Sequence, residues 1–151
     1  MNCERCGNAG IVESAEGGFM QCPCYYQRKV EHKLGPVLAG ARLATMKART
    51  TEQARALEII RKDINRSRYI KGPNRSGKTY LAAALHNLFV IEKKEIVSTA
   101  WVDSDILRKK LSNIDGTDDI GFEITDIITG KVKRLFIDDL GKESITPWAR
   151  Q

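Results

Sequence analysis

The chain has no cysteine after Cys24, only four prolines and two histidines among 151 residues, and no apolar run approaching the roughly 20 residues that cross a bilayer. Its first residues, Met1-Asn2-Cys3-Glu4-Arg5-Cys6, lack the apolar stretch of a secretory signal. A bilayer-spanning helix is therefore excluded, and a cytoplasmic protein with no membrane partner is expected. Sparse proline and moderate glycine argue against wholesale disorder and against fibrous repeats. What remains is a globular composition, long enough for one ordinary core or for a small appendage on a smaller core.

Charge is distributed unevenly. Residues 25–78 hold fourteen Lys or Arg against four Asp or Glu, a local net of +10, whereas the segments before and after are each at −2. A field of this kind attracts polyanions, whether nucleic acid or an acidic protein face, and it is equally the signature of a solvated helical surface.

The pattern of residues predicts a series of elements. Ile11-Val12 and Phe19-Met20, separated by a turn through Glu16-Gly17-Gly18, form a short hairpin. Residues 28–50 read as a basic linker or loosely packed lead-in helix, interrupted at Gly35-Pro36 and Gly40. Thr50 followed by Gln53 is a capping box that opens a helix to about Asn65, with Ala54, Leu57, Ile60 and Ile64 along one face. Arg68–Lys71 is a strand candidate, Tyr80–Lys93 a helix, and Glu95–Trp101 a second strand. A helix starting at Asp103 or Ser104 then carries Ile106, Leu107 and Leu111. A polar loop over Asn113–Gly121 precedes a short helix over Phe122–Ile128, stopped by Gly130, and Val132–Asp138 is the strand expected to be most buried. Strands alternating with helices in this order imply an α/β fold with a parallel sheet covered by helices.

Two segments carry phosphate chemistry. Gly72-Pro73-Asn74-Arg75-Ser76-Gly77-Lys78-Thr79 matches G-x-x-x-x-G-K-[ST], between an expected strand and an expected helix. Gly72 and Gly77 permit a tight backbone turn, and the N–H groups that open the helix face an anion. Lys78 reaches the β- and γ-phosphates of a nucleoside triphosphate, and Thr79 Oγ ligates Mg²⁺. Arg75 stands where some such loops have a further glycine, adding positive charge and restricting the turn. In the second segment, Arg134-Leu135-Phe136-Ile137-Asp138-Asp139, an apolar strand delivers acids at its carboxyl end. Asp138 is placed to hold magnesium through a water. Asp139 either orients or deprotonates an attacking water, or serves only as a cap or turn residue.

Cys3-x₂-Cys6 and Cys22-x-Cys24 supply four thiols within a short span. A tetrahedral Cys₄ zinc site fits, and the metal would contribute the folding energy that so small a segment lacks. With four thiolates the zinc is structural, having no open position for substrate. The one-residue spacing across Pro23 departs from the usual pair, and Gly7 and Gly10 suit a knuckle turn. An iron–sulfur cluster and unrelated free thiols are the other readings.

Taken together, Ile70–Thr79 and Leu135-Phe136-Ile137-Asp138-Asp139-Leu140-Gly141-Lys142-Glu143, with Trp148 nearby, resemble the DnaC-like and IstB-like branch of the AAA+ ATPases, the helicase loaders and transposition helpers. The resemblance covers about two thirds of the chain, from near Glu52, and some loaders also have a cysteine-rich zinc module at the N-terminus. It implies a P-loop NTPase fold of three layers, with ATP or ADP, Mg²⁺ and Zn²⁺ as cofactors. Lys78, Asp138 and Asp139 would then be the catalytic set. A replicative helicase and single-stranded DNA are the implied partners, with self-association. Many AAA+ proteins have Glu where Asp139 stands, which leaves the base in question. The expected organisation is a zinc-binding module at 1–27, a basic linker or helix at 28–50 and a partial ATPase core at 51–151. The chain stops at Gln151, soon after the acidic strand, so the core is expected to be incomplete at its C-terminus, binding nucleotide with slow or absent hydrolysis. A zinc-dependent DNA-binding or adaptor module with a structural ATPase remnant is the alternative.

Overall fold

Ile11–Glu13 (β1) and Phe19–Gln21 (β2) pair antiparallel, Val12 opposite Met20, around a turn in which Gly17 and Gly18 take positive φ. The computed structural model to which this hairpin belongs describes residues 3–107, 126 and 129–139. The chain divides into two units, residues 1–95 and 96–151. Architecture is mixed α/β with two small sheets, one of them a parallel pair.

In the first unit, Pro23 starts helix α1 (Pro23–Ala39), where its missing N–H costs nothing. Gly35, at φ 75° and ψ 165°, kinks the helix just before Pro36, because proline disfavours the helical conformation in the residue preceding it. The segment is nevertheless packed: Tyr26, Val30 and Ala39 are buried, as are Ala41 and Leu43 beyond the helix. α1 also runs across the 27/28 boundary read from the sequence, since its first turn carries Cys24 and its later turns pack on the core.

Helix α2 (Thr51–Lys62) opens on the expected cap, with Gln53 N–H donating to Thr50 Oγ1 at 3.2 Å. Gln53 Oε1 in return accepts from Arg49 N–H at 2.7 Å. Only Leu57 and Ile60 of its expected stripe are buried. The helix ends three residues before Asn65, where Asp63 Oδ1 accepts from Asn65 N–H at 3.2 Å and offers the backbone a turn in place of another helical bond. Arg68–Lys71 forms no strand. Arg68 instead folds back onto the carbonyls of Ile59, Asp63 and Arg66, and Tyr69 is exposed.

Helix α3 (Lys78–Asn87) passes into a π-helical turn, Leu88–Glu92, closed by Lys93 N–H on Leu88 O at 3.0 Å. Leu81, Ala83, Ala84, Leu85, Phe89 and Val90 are buried, and α1 packs against both pieces. Small alanines on α3 let the two helices approach closely.

In the second unit, β3 (Thr99–Asp103) and β4 (Arg134–Asp138) run parallel, with Thr99 opposite Arg134 and Asp103 opposite Asp138. Both strands are shorter than expected at their starts, and Val97 is exposed. Ala100 and Val102 on one face pack with Leu107, Val132, Leu135 and Ile137. On the other face Trp101 stacks on Phe136, with ring centroids 6.0 Å apart. β4 is half-buried along its whole length rather than the most buried strand. Residues 104–107 are helical, beginning where a helix was expected. Leu111, the loop at 113–121, the expected helix at 122–128 apart from Asp126, and residues 140–151 with Trp148 lie outside the described residues.

Candidate functional site

The hairpin and the first turn of α1 bring all four cysteines together. Their sulfur atoms lie within 4.8 Å of one another. Cys3 Sγ is 3.7 Å from Cys22 Sγ, and Cys6 Sγ is 3.4 Å from Cys24 Sγ. A zinc ion with Zn–S bonds of about 2.3 Å sets its tetrahedral sulfur atoms about 3.8 Å apart. The cluster is thus close to the size that tetrahedral coordination requires, and the four cysteines can hold a metal ion. All four are free thiols, so no disulfide competes for them.

Local backbone geometry builds the cluster. Between Cys3 and Cys6 the chain turns so that Gly7 N–H donates to Cys3 O at 2.8 Å. Gly7, Asn8 and Gly10 all take positive φ, a conformation that two glycines and an asparagine adopt readily. The turn aims Gly10 N–H at Cys6 Sγ, 3.4 Å away, while Gly10 O accepts from Cys22 N–H at 2.8 Å. The first pair is thereby tied to the second. Cys22 is fully buried.

Electrostatics within the cluster are asymmetric. The Gly10 N–H holds the Cys6 thiol down to about 6, helped by the surrounding sulfurs. Cys24 is pushed up to about 12, first by desolvation and then by the three sulfurs beside it. Four thiols this close cannot all ionise by themselves, and a divalent cation is the charge that allows them to.

Two residues of this site were not evident from the sequence. Arg28, one turn after Cys24, donates to Cys24 Sγ at 3.6 Å and to Asn8 O at 2.9 Å. Asn8 Oδ1 accepts from Cys3 N–H at 3.0 Å. The i, i+4 spacing of Cys24 and Arg28 on a helix was the available signal.

The glycine loop lies in the same unit. Gly77 takes φ 87° and caps α3, so that Lys78 and Thr79 fall in the helix's first turn, two residues before the helix start expected from the sequence. Lys78 Nζ folds back over the loop, donating to Gly72 O at 3.0 Å and Pro73 O at 2.9 Å. A Cβ at Gly72 would lie 3.1 Å from Ser76 Oγ, a close contact that rotation of the serine hydroxyl can relieve. Pro73, Asn74 and Arg75 are exposed, and Arg75 takes φ 62° without being glycine. Gln53 Nε2 donates to Ser76 O at 3.1 Å, so the capping residue of α2 also braces the loop.

In the second unit, the register of the parallel strands sets Asp138 beside Asp103 at their carboxyl ends, on the face that carries Trp101 and Phe136. Asp139, with φ 59°, turns the chain, and its carbonyl accepts from the buried Ser104 hydroxyl at 2.9 Å. Asp103 entered the sequence reading only as a helix start, and Asp103 Oδ1 does accept from Asp105 N–H at 2.8 Å. Among the described residues no helix is long and apolar enough to cross a membrane. Comparison of the chain with models of protein families, with curated proteins and with solved structures finds no match.

Proposed function

We propose that this protein is an ATP-binding DNA replication factor of the helicase-loader kind, with a P-loop core of the AAA+ type and a structural zinc module ahead of it. The observation that carries the reading is the loop at Gly72–Thr79. Its backbone closes through Gly77 onto the first turn of α3, and the Lys78 ammonium sits on two loop carbonyls. An ammonium held by neutral carbonyls gains by moving to a phosphate, and the first N–H groups of a helix accept the same anion. Bound Mg²⁺ would neutralise charge on the phosphates. Thr79 and Asp138 are the residues proposed to hold it, and Asp139 is the proposed orienter of water. The three-layer sheet, the replicative helicase, single-stranded DNA, self-association and a cytoplasmic setting belong to the same proposal. All rest on the sequence resemblance.

The test is titration of the whole chain with a fluorescent ATP analogue, with and without Mg²⁺, beside Lys78→Ala. Micromolar binding that needs the lysine is expected, and absence of binding at millimolar nucleotide would overturn the proposal.

A second reading is a zinc-dependent DNA-binding or adaptor protein whose P-loop is structural. The closeness of the four sulfurs and the net of +10 over residues 25–78 favour it. Binding of a polyanion that is unaffected by Lys78→Ala, in a protein that does not take up nucleotide, would select it. Transposition help is a third role compatible with the same motifs.

A further inference from the structure

The Arg28 guanidinium forms hydrogen bonds to both halves of the cysteine centre. One nitrogen donates to Cys24 Sγ at 3.6 Å, and the other to the carbonyl of Asn8 at 2.9 Å. Asn8 in turn fixes the other end of its turn, because its side-chain oxygen accepts from Cys3 N–H at 3.0 Å. A path of three hydrogen bonds thus runs from the second cysteine pair, through Arg28 and Asn8, to the backbone of the first pair. Gly10 makes room for it: a Cβ at that position would lie 3.2 Å from Arg28 Nη2. Tyr25 lines the same space, 3.7 Å from that Cβ position.

From this geometry we propose that Arg28 is a positioning residue of the metal centre, fixing the two cysteine pairs in register and offsetting the negative charge of the filled site. The inference rests on reading the four cysteines as a metal site. Four thiolates outweigh a divalent cation, so the filled centre is anionic. Arg28 is suited to this role because its planar fork donates in two directions and stays charged. Lysine has the charge without the fork. The Gly10 N–H serves Cys6 in the same manner, so each cysteine pair has one sulfur that accepts an N–H hydrogen bond. Groups that orient metal ligands in this way are typically worth roughly tenfold to a hundredfold in metal affinity.

Cobalt(II) titration of the reduced 151-residue chain, followed by competition with a chelator, tests this. The wild-type protein should give the absorption of a tetrahedral thiolate site. In Arg28→Ala the ligand-field bands should persist, the sulfur-to-cobalt charge-transfer band should move to lower energy, and affinity should fall roughly tenfold or more. The shift arises because a sulfur relieved of an N–H donor gives more electron density to the metal, an effect that loss of packing alone does not produce. Arg28→Lys should fall between the two, and it decides the matter if Arg28→Ala does not fold. A band position and affinity equal to wild type in the folded variants would overturn the role of Arg28. Absence of a tetrahedral spectrum from the wild-type chain would instead overturn the metal site and this inference with it.

Discussion

The side-chain amide of Asn87 donates to the carbonyl of Leu38 at 2.7 Å, joining the end of α3 to the end of α1 across 49 positions of sequence. The same nitrogen lies 3.3 Å from Ala39 O and 3.0 Å from Ala41 O, and the residue is fully buried. Gln27 and Arg42 also donate to Ala39 O, at 3.2 and 2.7 Å. Carbonyls at and just beyond the end of a kinked helix are thus met by side chains, Leu38 O in addition to its bond from Ala41 N–H, and α1 and α3 are locked together where alanines leave little area to bury.

Asn87→Ala should therefore destabilise the protein by about 2–3 kcal/mol, the sum of lost hydrogen bonds and a small cavity. Asn87→Asp should cost more, because an acceptor then faces three carbonyls. Urea unfolding followed by circular dichroism measures both, and equal effects of the two substitutions would show that the amide's donor role is not what matters.

His86, next to Asn87, predicts an acid-sensitive fold. Burial pulls its pKa down to about 4, reinforced by the charge of Lys33 and opposed by the hydrogen bond to Asn87. Unfolded, the ring titrates near 6.5, so below that pH the unfolded chain binds the extra proton. This contribution to stability is complete above about pH 6.5, falls as pH drops towards 4, and is level below; the loss is on the order of 3 kcal/mol. The measurement is the difference in unfolding free energy between wild type and His86→Gln across that window. A difference that does not vary with pH would contradict the assignment.

How much of this was legible in the sequence depended on how far each feature reaches along the chain. The cysteine pairs, the hairpin, the Thr50–Gln53 cap and the glycine loop follow from residues within a few positions of one another. Arg68–Lys71 has strand-like composition, but a strand exists only with a partner, and Arg68 finds backbone carbonyls nearby instead. The tie between the end of α1 and α3 is made by Asn87, 49 residues after Leu38, and the pairing of Asp103 with Asp138 by a register 35 residues apart. Neither relation leaves a periodic trace. The role of Gln53 was half visible: its backbone cap was readable, its bond to Ser76 O was not.

Metal removal should act on the hairpin and the first turns of α1. The hairpin has too little buried surface to persist alone, with Phe19, Ile11 and Met20 all exposed. A strong chelator, or Cys22→Ser at the buried ligand, should release about one zinc per chain and lower helix content as the start of α1 frays. Readdition of zinc should restore it for wild type but not for the variant. A metal-free protein with an unchanged spectrum would show that the thiols pack without coordinating.

Substitutions at Arg75 separate the backbone conformation of the glycine loop from its charge, and so test the proposed nucleotide binding. The residue's φ of 62° lies in the left-handed region, disfavoured for a side chain by about 1–2 kcal/mol, whereas glycine occupies it freely at a cost in chain entropy. Arg75→Gly should therefore stabilise the protein by about 0.5–1 kcal/mol, and Arg75→Ala, which retains a Cβ, should not. Nucleotide affinity should respond in the other way, falling in both variants, because each removes the guanidinium. Thermal unfolding and the fluorescent-nucleotide titration read the two effects independently. If glycine and alanine shift stability alike, the loop relaxes at Arg75 without strain, and the residue's only contribution is its charge.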